Sequence, residues 1–311
     1  MTDRPEGASV TDSDSPPTDS DSPPTDSLVT DSKSPVTDSD SPDAIARTVA
    51  VIHRELQTVI RTRAYLALAG LLLAVSVGVV VAGGSASAGY VPAVADLLTP
   101  MELLVPLVAF AFGYRALLDG VESGEQAVLR TYPLRTWEYV LGVFLGRAAG
   151  VAGTIILAFG AAGLVIAFVP ADVVTVYASH RGADSPLLFA RFVVLTIGFG
   201  GAVLAVALAV SAAARSTRSA LALTGGALLV LVIGIDLVIV DGLGADWLDE
   251  GLLGGAVAAS PNGAFRGLVL ETAIGVAGDA PRAVSPVVAV VSLGVWTVLG
   301  LVVAILALDR R

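Results

Sequence analysis

Cysteine is absent from the 311 residues, lysine occurs once, and histidine occurs twice. Each shortage closes off a class of chemistry. Without Cys the chain has no disulfide framework, thiolate zinc site, iron–sulfur cluster or cysteine nucleophile. His53 and His180 lie far apart along the chain, so neither an H-E-x-x-H zinc site nor a Ser and His dyad with a supporting acid can be assembled. Lys33, the sole lysine, stands outside any G-x-x-x-x-G-K-S/T run, so its ammonium cannot serve a P-loop and the chain does not hydrolyse ATP by that route. Nothing pairs carboxylates at a recognisable spacing either. An enzyme is not expected, and neither is a metal, a cofactor or a nucleic-acid partner. Charge is scarce as well: 15% of residues are charged against 55% hydrophobic, with a mean hydropathy of +0.80. A soluble domain cannot hide that much apolar surface, so the chain reads as a membrane protein.

The net charge of −10 belongs to one end. Residues 1–43 hold 11 acids and 2 bases, whereas the other 268 residues hold 17 acids and 16 bases. Residues 11–43 repeat a seven-residue unit, TDSDSPP at Thr11 and Thr18, with imperfect copies from Thr25, Thr30 and Thr37. The unit lacks apolar a and d positions and carries Pro in almost every copy, so it cannot form a coiled coil. A disordered acidic tail is expected over 1–43, because low hydrophobicity and high charge leave nothing to offset the entropy of ordering. No apolar run follows Met1, which argues against a signal peptide.

From residue 44 to residue 311 the pattern is that of a single membrane domain. Ile45, Val49, Ile52, Leu56 and Val59 recur at spacings of three and four, with Arg47, Arg54, Glu55, Arg61 and Arg63 at other positions. This amphipathic helix runs directly into an apolar stretch, so it is expected to lie along the membrane interface with its Arg residues at anionic head groups. Six stretches are long and apolar enough to cross a bilayer: 64–84, 99–118, 148–169, 190–213, 219–240 and 286–308. At about 1.5 Å per residue each reaches roughly 30 Å or more, the hydrocarbon thickness. The fold class is therefore all-α and polytopic, with six transmembrane helices behind an N-terminal interfacial helix. With the N-terminus inside, the inner connections carry 11 Arg and the outer ones only Arg181, Arg266 and Arg282. The positive-inside rule then puts both termini in the cytoplasm of a multi-pass cell-membrane protein.

Ionisable residues within spans are costly and raise a functional question by default. Glu102 and Arg191 fall at outer span boundaries and Arg115 near an inner one, where each can snorkel to water. Asp236, in LVIGIDLVIVDG, lies deeper in the outer half of span five. It is expected either to pair with Arg191 or to hydrogen-bond a neighbouring helix, or else to serve as a polar element of a substrate path or a protonation site. Gly142, Gly146 and Gly150 form a small-residue stripe at intervals of four, which lets another helix come close.

The connection between spans two and three reads DGVESGEQAVLRTYPLRTWEYVLGVFLG over 119–146. It resembles the signature of ABC type-2 transporter permeases, which place an acid and a Gly before a short helix, then Pro and Arg, then a Gly-rich entry to the third span. Glu122 and Gly124 match the acid and Gly, Val128 and Leu129 the apolar helix face, Pro133 the Pro, and Gly142 and Gly146 the entry glycines. Arg135 stands two residues after Pro133 where the family commonly has three, and Val143 replaces a frequent Lys. RELQTVIRTRAYLAL at 54–68 looks like the family's interfacial helix and entry to span one. ASPNGAFRGLVL at 259–270 is similar to the region before the last span in permeases resembling the copper-processing member of the nitrous oxide reductase maturation system.

The resemblance implies the permease half of an ABC transporter, set in the lipid bilayer as a homodimer or heterodimer and driven by a separate ATP-binding-cassette ATPase subunit. Coupling would pass through the 119–139 connection, with Glu122, Gly124, Arg130, Pro133 and Arg135 as its residues, and the family favours export. Copper handling is poorly supplied by two His, no Cys and only Met1 and Met101. The composition, rich in Asp and Ala with Arg in place of Lys, is similar to that of proteins from salt-loving archaea. Two other readings stay open: an ion-coupled secondary transporter that titrates Asp236, and an assembly factor without transport activity that uses the outer 241–285 segment.

Overall fold

The computed structural model describes residues 44–122, 135–170, 184–245, 250–275 and 284–310. The expected tail over 1–43, His180, and the central part of the 119–139 connection lie outside them. Among the described residues there is no strand, and six helices are long and apolar enough to cross a membrane. The chain is an all-α polytopic membrane protein.

The amphipathic helix α1 spans Ala44–Arg61 and passes through Thr62 into α2, Arg63–Ala82. The second span is α3, Tyr90–Gly113, prolonged through a turn to Leu118–Glu122. Then come α4, Thr136–Phe168, and α5, Pro186–Ala213. Span five is made of α6, Thr217–Leu229, a π-helical turn at Val230–Gly234, and α7, Ile235–Gly244. Two shorter helices follow, α8 at Glu250–Ala259 and α9 at Pro261–Val269, then a second π turn at Leu270–Ile274. The last span is α10, Pro286–Asp309.

Span two begins well before residue 99, and the cause is not local in sequence. Gly89 adopts φ 118°, a conformation that favours glycine, and the backbone N–H groups of Tyr90 and Val91 donate to the Asp184 carboxylate at 3.1 and 2.8 Å. A carboxylate from the far end of another connection therefore caps the start of α3. Glu102 sits about 18 Å along the helix from Tyr90, near its middle rather than at a span boundary. The third span is likewise longer than expected. The 33 residues of α4 reach about 50 Å, so its first turns extend beyond a roughly 30 Å apolar layer.

Helix α5 stands at the centre of the bundle, against α3, α4, α9 and α10. Small residues set these close approaches. A Cβ on Gly113 of α3 would stand 2.6 Å from Ala207 Cβ, and one on Gly300 of α10 would stand 2.6 Å from the Ala205 backbone. Hydroxyls inside the apolar helices bond back to carbonyls four residues earlier, Ser76 to Leu72 at 2.7 Å and Thr196 to Phe192 at 2.8 Å, so these buried groups are satisfied within their own helices. An aromatic row of Phe159, Phe189, Phe192, Phe265 and Phe199 runs from the N-terminal end of α5 to its middle. Span five, by contrast, is almost bare: among its described side chains from Thr217 to Gly242, Ala220, Leu231 and Gly242 are the buried positions.

Candidate functional site

The interfacial helix is not merely laid on a membrane surface. It is docked in a groove of α4 built from the glycine stripe. A Cβ on Gly142 would stand 2.7 Å from Val51 Cβ, one on Gly146 would stand 2.5 Å from Glu55 Cβ, and one on Gly150 would stand 2.9 Å from Val59 Cγ1. Spacings of four on both helices thus mesh, and Val51, Glu55 and Val59 form the buried face of α1. Ile45, Val49 and Ile60 point away from the bundle as exposed apolar side chains. The apolar periodicity therefore comprises two faces, one against protein and one outward.

Two ion pairs fasten this contact. Glu55 Oε2 accepts from Arg147 Nε at 2.6 Å, and both side chains are buried. Arg147 also donates to the Tyr65 hydroxyl and, at 2.9 Å, to the Phe112 carbonyl. One guanidinium therefore joins α1, α2, α3 and α4. Toward the start of α4, Arg47 grips Glu138 with two donors at 3.2 and 3.1 Å, while Glu138 also accepts the backbone N–H of Arg135 at 3.2 Å. Glu138 is fully buried, and a desolvated carboxylate is tolerable only when paired in this way. The α3 side of the connection is tied just as locally. Ser211 Oγ of α5 accepts from both Leu117 N and Leu118 N at 3.1 Å, capping backbone groups freed by the turn after Gly113.

Of the residues expected to couple to a partner, Gly124, Arg130 and Pro133 lie outside the described residues. Glu122 ends the single turn Leu118–Glu122. Arg135 is the N-cap of α4, exposed, with its backbone held by Glu138. Arg115 pairs with Asp119 one turn on, at 2.7 Å.

The other ionisable span residues depart from expectation in part. Glu102 does not snorkel: it is 4% exposed, and its two carboxylate oxygens accept Nε, at 2.6 Å, and Nη2 of Arg266. Asp236 is not paired with Arg191. It makes instead the expected hydrogen bond to a neighbouring helix, with Ser260 Oγ at the start of α9 donating at 3.3 Å, whereas Arg191 donates to the Thr272 carbonyl at 2.6 Å. The reason lies in the segment 250–275, which folds back as the helical hairpin α8–α9 rather than remaining an outer loop. Ser260 caps α9 by accepting from Gly263 N at 2.8 Å, and Pro261, Asn262 and Phe265 are buried. Phe265 stacks on Phe199 at 4.6 Å, which carries α9 to about the middle of α5, roughly 20 Å from Pro186.

Sequence reasoning noticed the glycine stripe and Glu102 but missed the partners Glu55, Arg147, Glu138 and Ser211. One signal was available: Glu55 sits four residues from both Val51 and Val59, so it shares their face. A second signal was Arg147, a cation inside a long apolar helix.

Six spans, a glycine-docked amphipathic helix and a connection tethered at both ends describe a polytopic membrane protein. A family model described as ABC-2 family transporter protein matches residues 49–311, and the chain belongs to that family. It is similar to the probable ABC transporter permease protein NosY of Stutzerimonas stutzeri, 30% identical over 197 residues that cover 61% of this chain and 68% of that protein. The probable ABC transporter permease protein NosY of Pseudomonas aeruginosa is 32% identical over 195 residues, covering 61% and 68%. The chain is thus a membrane-spanning permease subunit of an ABC transporter. Such a subunit is not itself an enzyme.

Proposed function

We propose that this permease is driven from the cytoplasm by a separate ATP-binding-cassette subunit that engages the 119–139 connection, and that it works as an exporter. The observation that carries the reading is the anchoring of the connection at both ends. On one side Ser211 holds Leu117 and Leu118; on the other Glu138 holds Arg135 and Arg47. A force applied at either anchor reaches α1, α3, α4 and α5. Glu122, Gly124, Arg130, Pro133 and Arg135 are the residues that receive it.

The Arg asymmetry between inner and outer connections supports cytoplasmic N- and C-termini. Dimerisation follows from the pairwise closure of two ATP-binding subunits, and span five, bare along most of its length, leaves room for a second permease chain. Alternating access then arises from rigid-body movement of helices rather than from side-chain chemistry. Co-expression with an ATP-binding-cassette subunit tests the reading. Stable co-purification is expected, with ATPase activity altered by Glu122→Ala or Pro133→Ala. Transport that persists without nucleotide and disappears in Asp236→Asn would overturn it in favour of an ion-coupled carrier. Labelling of the 119–139 segment from the cell exterior would overturn it too.

A further inference from the structure

We propose that the ion pair between Glu102 and Arg266 is the joint that carries movement of span two to the α8–α9 hairpin, which makes both residues positioning residues of the transport cycle. The inference rests on the reading above, in that the movement originates at the cytoplasmic connection.

Helix α3 takes its input at one end and is continuous past Pro100 and Pro106, which flank Glu102. It is helical from Tyr90 to Gly113, and its continuation at Leu117 and Leu118 is pinned to Ser211 where the connection leaves the bundle. Its output lies near the middle, where Glu102 holds the Arg266 guanidinium through both carboxylate oxygens. Two parallel bonds from a planar fork fix direction as well as distance. Helices α3 and α9 cannot shift past one another without stripping the buried Glu102 carboxylate of the Arg266 guanidinium, a step that costs far more than sliding an apolar contact. Helix α9 also packs on α5 and α10, and there the stack of Phe265 on Phe199, with rings nearly parallel, tolerates such sliding.

The lever itself is well delimited. Helix α9 starts at the Ser260 cap and the Pro261 break, and ends in the π turn Leu270–Ile274. Both are places where a helix changes direction cheaply. A stiff nine-residue helix between two such points, held at Arg266, turns when Glu102 moves and takes α8 with it. A purely apolar contact of the same size would stabilise the resting bundle as well or better; the pair adds registry between an inner input and an outer output.

The absence of native Cys allows single reporter sites. In the permease with its co-expressed ATP-binding subunit in lipid nanodiscs, an environment-sensitive fluorophore is placed at Trp137→Cys beside the connection, or at Gly255→Cys on α8. Trp137 is exposed, and Gly255 has open space around it. In the otherwise native chain, ATP with vanadate is expected to change both signals. In Glu102→Gln and in Arg266→Lys the change at Trp137 is expected to persist and the change at Gly255 to be lost. The exchanged pair E102R/R266E is expected to restore it. A Gly255 signal that responds normally in Glu102→Gln or Arg266→Lys overturns the joint and leaves a static contact. Should one single variant fail to assemble, the other and the exchanged pair carry the same decision. Silence at both reporters in the otherwise native chain overturns the cytoplasmic drive itself, which separates the two failures.

Discussion

Glu55 and Arg147 meet at 2.6 Å beside the point where Gly146 lets α1 touch α4. The charge pair and the glycine are one device: without the close approach the two side chains could not be buried together, and without Arg147 the buried carboxylate would keep only the half-exposed Arg54, at 3.0 Å, as its cation.

Breaking the pair is therefore expected to be destabilising. Arg147→Gln leaves Glu55 with Arg54, at 3.0 Å, as its remaining cation and takes the guanidinium donors away from Tyr65 and Phe112, at a cost of about 1–3 kcal/mol. Glu55→Gln, which still accepts a hydrogen bond, is expected to cost less. Thermal denaturation of the detergent-solubilised protein, followed by loss of monodisperse material, measures both. Equal stability of Arg147→Gln and the parent would contradict the role assigned here.

Gly146→Ala is expected to destabilise by about 1–3 kcal/mol, since its Cβ would stand 2.5 Å from Glu55 Cβ and 3.1 Å from the Ile52 carbonyl. Gly153→Ala, in the same helix with nothing near its Cβ, is the matched control. It is expected to be neutral or to gain about 0.5–1 kcal/mol from better helix propensity. Protease cleavage within α1 should accelerate in the first variant only.

Arg47 and Glu138 form a two-donor pair in which Glu138 is buried and Arg47 mostly so. A double-mutant cycle with Arg47→Ala and Glu138→Ala is expected to return a coupling of about 0.5–3 kcal/mol. Additive effects in thermal stability would mean that the two residues act independently.

Ser211→Ala removes the acceptor for two buried backbone donors, Leu117 N and Leu118 N, and is expected to cost about 1–3 kcal/mol. The loss should appear as faster amide exchange at 117 and 118, while Thr196→Ala, which removes only a back-bond within its own helix, leaves those two amides unchanged.

Composition and periodicity were enough to establish the class of protein. Apolar stretches of bilayer length can satisfy their backbone only as helices, so six spans and an all-α fold follow from local sequence, as does an amphipathic helix ahead of them. The glycine stripe was visible in the same way, because spacing by four places residues on one helical face. Partners were not. Glu102 was assigned to a span end because Asp184, distant in sequence, caps the true start of α3. Asp236 went to Ser260 and Arg266 to Glu102 because α8 and α9 fold back into the bundle, which depends on how Phe265 packs on Phe199. Helix formation is governed by residues within a turn or two of each other. The choice of which charge meets which is governed by packing between helices far apart in the chain, where desolvation forbids any ion to remain alone.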